Sequence, residues 1–205
     1  ISKKEFNLSE SKLKIIPAYF YDQIKNDYSN KIQRKNILFV GNFLHHPNID
    51  GILWFIKTSW PQIKSTHPDA KLYVIGRNPT YELLMHTGRD IKIMGFVEDI
   101  SNYYKKAALT IAPLRYGSGI KGKIIESIFN HVPIVSTGIG LEGTNLIHLE
   151  NCLKADKEDD FINSCNLLLS NQSICSNLSR NAFEYMKNYY SYENGKKIVL
   201  ELFEN

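Results

Sequence analysis

The fold is decided by residues 109–137, which read LTIAPLRYGSGIKGKIIESIFNHVPIVST. Leu109–Ala112 is a short apolar run that ends at Pro113, as expected of a buried strand. A glycine-rich loop comes next, and residues 120–130 then place their apolar side chains on one face of a helix. A second short strand follows at residues 134–136. This order of strand, loop, helix and strand predicts a parallel α/β unit.

The glycine-rich loop has the composition of an anion site. Glycines let the backbone bend tightly and approach a ligand, and a loop that leads into a helix presents free N–H groups and the positive end of the helix dipole. Two lysines add positive charge at the same place. We therefore predict a diphosphate site formed by Gly117, Ser118, Gly119, Ile120, Lys121 and Lys123.

Glu126 lies one helical turn beyond this loop and outside the apolar face of the helix. A carboxylate does not bind phosphate, but it accepts two hydrogen bonds from a vicinal diol such as ribose. The alternative is that Lys121, Lys123 and Glu126 form a solvated helix face with local ion pairs. The adjacent glycines favour a nucleotide site with Glu126 at the ribose.

Similar segments alternate along the rest of the chain. We expect strands at 37–40, 72–75, 91–94, 109–112, 134–136 and 151–155. We expect helices at 49–57 (N-cap Asn48, extended or broken near Pro61), 80–86, 99–105, 120–130, 157–170, 173–188 and 192–203. This alternation predicts an α/β fold, a Rossmann-like doubly wound parallel sheet with helices on both faces. Ligands of such sheets bind beyond the carboxyl ends of the strands.

The loop segment resembles the donor-binding segment of the nucleotide-sugar glycosyltransferases called glycosyl transferases group 1, or family four. One branch of that family is typified by Gly-x-Gly-x-(Arg/Lys)-x-Lys-Ile-x-Glu followed by a Pro-Val-Val-Ser-Thr-like strand. Further pieces match in the right order: FVG at 39–41, PNIDG at 47–51, WF at 54–55, VIGRNP at 74–79, GFV at 95–97 and GLEG at 140–143. The resemblance runs from about residue 12 to the C-terminus and covers the C-terminal one of the family's two domains.

The resemblance implies one half of a GT-B fold. It assigns residues 1–34 to the interdomain connection and an entry strand, 35–190 to the nucleotide-sugar-binding domain and 191–205 to a C-terminal helix. Its partners would be a nucleotide-sugar donor and the missing N-terminal acceptor-binding domain. The expected reaction transfers a sugar, with retention, to a polysaccharide, lipopolysaccharide or lipid-linked acceptor, without a metal or other cofactor.

Two departures from the family pattern affect the site. Many relatives carry an Arg and a Lys in the loop after the first strand, where this chain has Gly41, Asn42 and His46, so Lys121 and Lys123 are expected to take that role. Retaining members often carry two glutamates separated by seven residues. Glu126 matches the second, but Ser118 stands at the first. No catalytic residue is therefore assigned.

A base-binding region is predicted at the ends of two other strands. Arg77 follows one of them directly, and Gly95, Phe96 and Val97 follow the other. The alternatives are that Arg77 is a surface residue that caps its loop and that Phe96 belongs to the core. The adjacent histidines His45 and His46 suggest no metal site, because a single ion needs further convergent ligands.

Composition sets further limits. The net charge of +4 is too weak to indicate nucleic acid, and no apolar run reaches the roughly 18 residues of a membrane span. Three cysteines without close spacing indicate reduced thiols, hence a cytoplasmic protein, with peripheral contact at the inner face of the membrane left open. Because the chain starts at Ile1, we expect a fragment of a longer protein, inactive alone. The alternative is a non-catalytic nucleotide-sugar-binding subunit, or a degenerate domain, that acts with a separate acceptor-binding chain.

Overall fold

The computed structural model describes Ile16 and residues 35–203. The predicted interdomain connection, and the entry strand within it apart from Ile16, lie outside the described residues. Across the described part of the chain, no helix combines the length and the apolar character that crossing a membrane requires.

A single parallel sheet organises the described residues. Its six strands are β1 (Asn36–Val40), β2 (Lys71–Ile75), β3 (Ile91–Gly95), β4 (Ala107–Ala112), β5 (Ile134–Ser136) and β6 (Leu153–Lys154). They lie in the order β3-β2-β1-β4-β5-β6. The chain thus builds outward from β1 in one direction and then from β4 in the other. The boundary between β1 and β4 is the switch point at which ligands of doubly wound sheets bind.

Helices connect the strands and cover the sheet. They are α1 (His46–Lys57), α2 (Ser59–Thr66), α3 (Tyr81–Leu84), α4 (Ser101–Lys106), α5 (Gly122–Phe129), α6 (Gly138–Leu141), α7 (Glu158–Ser170), α8 (Gln172–Tyr189) and α9 (Tyr192–Phe203). Within residues 35–203 each predicted strand and helix is present, with most ends displaced by one to three residues, and α2 and α6 occur in addition. The predicted strand 151–155 is shorter, because only Leu153–Lys154 pairs with β5.

Alternate residues of the central strand face opposite layers. Ile37 and Phe39 belong to the core cluster beneath α1, α2 and α7. Leu38 belongs to a second cluster that includes Tyr104 of α4. A third cluster packs α5 and α8 over β5. This arrangement confirms the prediction of helices on both faces.

The start of α1 differs from the prediction. The helix begins at His46 with His45 as its N-cap. Pro47 lies in the first turn, where backbone N–H groups have no partner within the helix, so the missing N–H group of proline costs no hydrogen bond. Asn48 therefore lies inside the helix, and the predicted Asn48 cap is wrong. The predicted break near Pro61 occurs at Thr58, because Pro61 again sits in the first turn of a new helix, α2.

Candidate functional site

The loops at the switch point pack backbone against backbone. A side chain on Gly76, just after β2, would bring its Cβ to 1.6 Å from the Gly41 carbonyl oxygen. A Cβ on Gly51 of α1 would lie 2.4 Å from the carbonyl oxygen of Pro113. Because only glycine permits such approaches, the loops after β1, β2 and β4 converge on a small area.

The loop after β4 has the conformation expected of its glycines. Gly117 and Gly119 adopt positive φ angles of 111° and 78°, which side chains disfavour, and residues 115–119 are exposed. Gly122 differs from them, because it is simply the first residue of α5. The N-terminus of α5 thus follows a strongly bent, accessible loop, as the anion-site prediction requires.

Lys123 is held at the switch point by neutral groups. Its Nζ donates a hydrogen bond to the Asn48 Oδ1 at 2.6 Å and lies 4.3 Å from the centre of the Phe39 ring. The Asn48 Nδ2 in turn donates to the carbonyl oxygen of Asn42 at 2.8 Å. One amide therefore joins the lysine of α5 to the loop after β1.

The electrostatic state of Lys123 follows from this environment. No carboxylate pairs with it among residues 35–203. Burial, and to a smaller extent the charge of Lys121, lower the pKa of Lys123 to about 7. The site thus holds a cation that lacks a counter-ion, and an anionic ligand placed beside it would favour its protonated form.

Lys121 is arranged differently from its neighbour. Its side chain is almost fully buried, and its Nζ donates to the carbonyl oxygen of Gly119 within the same loop. The carboxylate of Glu142 lies 3.7 Å from the ammonium. Lys121 therefore stabilises the loop through this hydrogen bond, and the carboxylate of Glu142 partly neutralises its charge.

Glu126 lies on the inner side of α5, beside Tyr104 of α4. Burial raises the pKa of Glu126, and a hydrogen bond from Tyr104 opposes that rise. Tyr104 itself is among the most deeply buried side chains. The ribose role of Glu126 stays a prediction, and the structure adds Tyr104 as its protein partner.

The predicted base region lies at the ends of β2 and β3. The Arg77 guanidinium stacks over the Phe96 ring at 4.2 Å from its centre. Phe96 is 59% exposed, so its alternative assignment to the core is wrong. Gly95 has a positive φ of 65°, which turns the chain after β3, and Val97 packs beneath against the cluster of Leu38 and Tyr104. Arg77 and Phe96 together offer a flat, exposed platform.

Two features of α1 were missed by the sequence reasoning. Asn48, the predicted helix cap, instead holds Lys123. Asp50 lies in the PNIDG motif, and its carboxylate accepts two hydrogen bonds from the Arg115 guanidinium, the one from Nε at 2.8 Å. The sequence signal for these two roles is the pair of polar residues at positions 48 and 50 of PNIDG, which lie in a helix that is otherwise largely buried.

The remaining predicted residues lie at the rim. Asn42 and His46 are exposed beside Gly41, and the Asn42 Oδ1 accepts a hydrogen bond from the Leu44 N–H at 3.0 Å. His45 is also exposed. No group of three His, Cys, Asp or Glu side chains suited to a metal ion occurs in the described segments.

These features define a class of protein: the sheet order, the helices on both faces and the bent loop at the switch point are those of a Rossmann-like half of a GT-B fold. The family model for glycosyl transferases group 1 matches residues 34–171, and the chain belongs to this family.

Individual relatives support the same assignment. A Klebsiella pneumoniae protein described as an uncharacterized 44.6 kDa protein in the cps region is 29% identical over 178 residues, which are 82% of this chain and 45% of that protein. Staphylococcus aureus TarM, in a complex with UDP and α-GlcNAc-glycerol, superposes with a TM-score of 0.80 at 15% identity over 98% of this chain and 41% of TarM. The C-terminal domain of LpcC, a group 1 protein from Francisella tularensis, gives 0.60 at 16% identity over 85% of this chain and 96% of that domain. The chain thus spans less than half the length of the first two relatives.

Proposed function

We propose that this chain is the donor-binding half of a retaining glycosyltransferase that moves a sugar from a nucleotide diphosphate to a glycan or lipid-linked acceptor. The observation that carries the proposal is Lys123, a partly buried cation whose close partners are the neutral Asn48 and Phe39, at the switch point of the sheet. A diphosphate supplies the negative charge that this position lacks.

Each part of the donor has a matching group. The diphosphate lies against the N–H groups of the loop 117–122 and beside Lys123, with Lys121 bracing the loop. Glu126 receives the ribose hydroxyls, and the base lies near Arg77 and Phe96. Negative charge develops on the departing diphosphate during transfer, so the ammonium and the helix dipole stabilise the transition state more than the ground state.

The acceptor class is proposed from the relatives. The Klebsiella relative is encoded in a cps region, and the TarM complex contains UDP. We therefore expect a UDP-sugar donor and a surface polysaccharide, lipopolysaccharide or lipid-linked saccharide as acceptor. We expect the protein to act in the cytoplasm, with peripheral contact at the inner membrane face.

Thermal stabilisation by UDP, GDP, ADP and CDP tests the donor site. A nucleotide at about 100 times its dissociation constant adds about 2.7 kcal/mol to the free energy of unfolding. We expect UDP to stabilise the wild type and Lys123→Ala and Glu126→Ala to lose most of that effect. The matched control is Lys106→Ala, which removes an exposed lysine at the opposite end of β4. Equal stabilisation of wild type and both site variants, or none by any nucleotide, contradicts the proposal.

Ser118 favours a second candidate, a nucleotide-sugar-binding subunit without catalytic activity. The exposed Ser118 stands where retaining relatives are expected to carry a glutamate. Incubation of the complete gene product with UDP-[¹⁴C]glucose and UDP-[¹⁴C]GlcNAc, with membranes from its own cell as acceptor, separates the two. Incorporated label supports the enzyme, whereas tight UDP binding without incorporation supports the subunit.

A further inference from the structure

A second pocket lies between the segment after α6 and the two C-terminal helices. Its volume is about 310 Å³, which is sufficient for a saccharide unit. It is lined by Thr144, Asn145, Tyr185, Asn188, Tyr189 and Asn194. None of these residues belongs to the donor site described above.

The lining has the chemistry of a neutral saccharide site. Three of the lining side chains are asparagine amides, and each amide offers both donors and acceptors, as the hydroxyl groups of a sugar require. Tyr185 and Tyr189 lie four residues apart on one face of α8 and are 45% and 40% exposed, so their rings are open to contact with the C–H faces of a sugar. No charged side chain is among the described residues that line the pocket, which argues against a phosphate or a carboxylate.

Ring packing and a hydrogen bond hold part of the pocket lining in place. The Tyr189 ring packs edge-to-face on the fully buried Tyr190, with ring centres 4.9 Å apart. The Asn194 Nδ2 donates to the Tyr189 carbonyl oxygen at 2.9 Å, which fixes the junction of α8 and α9. Because these groups are held in place, little conformational freedom is lost when a ligand binds.

The pocket also adjoins the donor loop. Gly143, which completes its lining, packs so closely on Ile120 that a Cβ at this glycine would lie 2.8 Å from the Ile120 Cγ1. Ile120 directly precedes Lys121 of the diphosphate loop. The segment 143–145 lies in the connection between β5 and β6, and the contact of Gly143 with Ile120 brings it beside the loop after β4.

We propose that this pocket binds a neutral hexose unit of the acceptor glycan, next to the unit that receives the transferred sugar. The inference rests on the proposed function for the identity of the glycan, whereas the binding of a neutral saccharide here stands on the pocket itself. The donor domain then contributes to acceptor recognition as well as to nucleotide binding.

Saturation-transfer NMR on the 205-residue chain tests this inference. The probes are malto-, cello- and galacto-oligosaccharides of two to four units, and the side-chain amide signals of Asn188 and Asn194 are followed in parallel. We expect at least one series to bind and to shift these amide signals. Tyr185→Ala and Asn188→Ala should each weaken binding about tenfold, the effect of one lost ring contact or hydrogen bond.

Tyr192→Ala is the matched control, because Tyr192 is a similarly exposed tyrosine on α9 outside the pocket lining. It should bind the oligosaccharide as the wild type does, and UDP should stabilise all three variants equally. Absence of binding by every series, or binding that Tyr185→Ala and Asn188→Ala leave unchanged, overturns the inference. UDP stabilisation, measured separately, reports on the proposed donor site whichever result is obtained.

Discussion

At the scale of single residues, Asn48 determines the surroundings of Lys123 in the proposed donor site. Its amide accepts from Lys123 and donates to the loop after β1, so it holds the lysine without neutralising it. A carboxylate in the same place would form a buried ion pair and leave less charge for a ligand. The neutral amide explains how a mostly desolvated lysine remains available to an anion.

We predict that UDP binding weakens as pH rises above about 7. In the free protein the pKa of Lys123 is lowered to about 7, so the ammonium loses its proton above that pH. In the complex, the negative charge of the bound diphosphate keeps Lys123 protonated. The affinity should change little between about pH 6, where the terminal phosphate of UDP takes up a proton, and pH 7, and then fall by up to about tenfold per pH unit. Calorimetry in buffers of different ionisation enthalpy should show proton uptake on binding.

Two variants sharpen this prediction. Lys123→Arg keeps its charge at every accessible pH and should flatten the profile. Asn48→Asp places a carboxylate beside the ammonium, so UDP should bind weakly even at low pH.

The stability of the free protein should depend on pH in the opposite direction to UDP binding. Because the pKa of Lys123 is lowered in the folded state, its contribution to the free energy of unfolding rises between about pH 7 and its ordinary pKa near 10.4. An affinity that is unchanged between pH 7 and 9 in the wild type would refute the coupling.

The roles of Asn48 and Asp50 were not predictable from the sequence, and the physical reason is the same for both. Gly117 and Gly119 were predictable, because their conformation is local. Asn48 and Asp50 act on partners 75 and 65 positions away, Lys123 and Arg115. Such contacts depend on how α1 sits against the loop after β4, which local patterns do not encode.

At the scale of elements, α1 positions the loop after β4. Three of its residues within one turn contact that side of the site: Asn48 through Lys123, Asp50 through Arg115, and Gly51 through the Pro113 carbonyl. The helix therefore fixes both the cation and the start of the glycine loop. Because Gly51 has no side chain, α1 can pack directly against the backbone that follows β4.

We predict that Gly51→Ala destabilises the protein. Alanine favours a helix over glycine by about 1 kcal/mol, but its Cβ would lie 2.4 Å from the Pro113 carbonyl oxygen. Overpacking against backbone costs about 1–3 kcal/mol, so the net loss should be up to about 2 kcal/mol in urea unfolding, with weaker UDP binding. Gly88→Ala is the control, because no atom lies within 4 Å of its added Cβ. If Gly51→Ala were more stable than the wild type, α1 could shift away from the Pro113 carbonyl at no cost, and the prediction would be wrong.

The secondary structure was largely predictable because each element carries its own signal. The strands are short apolar runs between loops, and the helix of the glycine loop has a strongly apolar face. The errors lie at helix starts: α1 begins at His46 and not after a cap at Asn48, and Pro61 lies inside the first turn of α2 and not at a break. The length of the last strand was also missed, since pairing with β5 alone limits it.

At the scale of the whole molecule, the chain exposes an apolar surface at its C-terminal helix. Val199, Leu202 and Phe203 lie on one face of α9, and Phe203 is 85% exposed. The chain covers 45% of its Klebsiella relative. Exposed apolar surfaces of this kind mark protein–protein contacts, and we therefore expect α9 to be an interface.

We predict that the 205-residue chain self-associates through this surface. Replacing Leu202 and Phe203 together by serine should shift the chain toward monomer in sedimentation velocity and reduce binding of the dye ANS. Leu202 is 46% and Phe203 85% exposed, so the free energy of unfolding should change by less than about 1 kcal/mol. Leu167→Ser is the control, because Leu167 is a partly exposed leucine on α7 and should not alter association. A wild-type chain that is monomeric at high concentration, or one whose association survives the double substitution, would show that α9 is not an interface. The UDP response of the double variant should equal that of the wild type, since α9 carries none of the proposed donor-site residues.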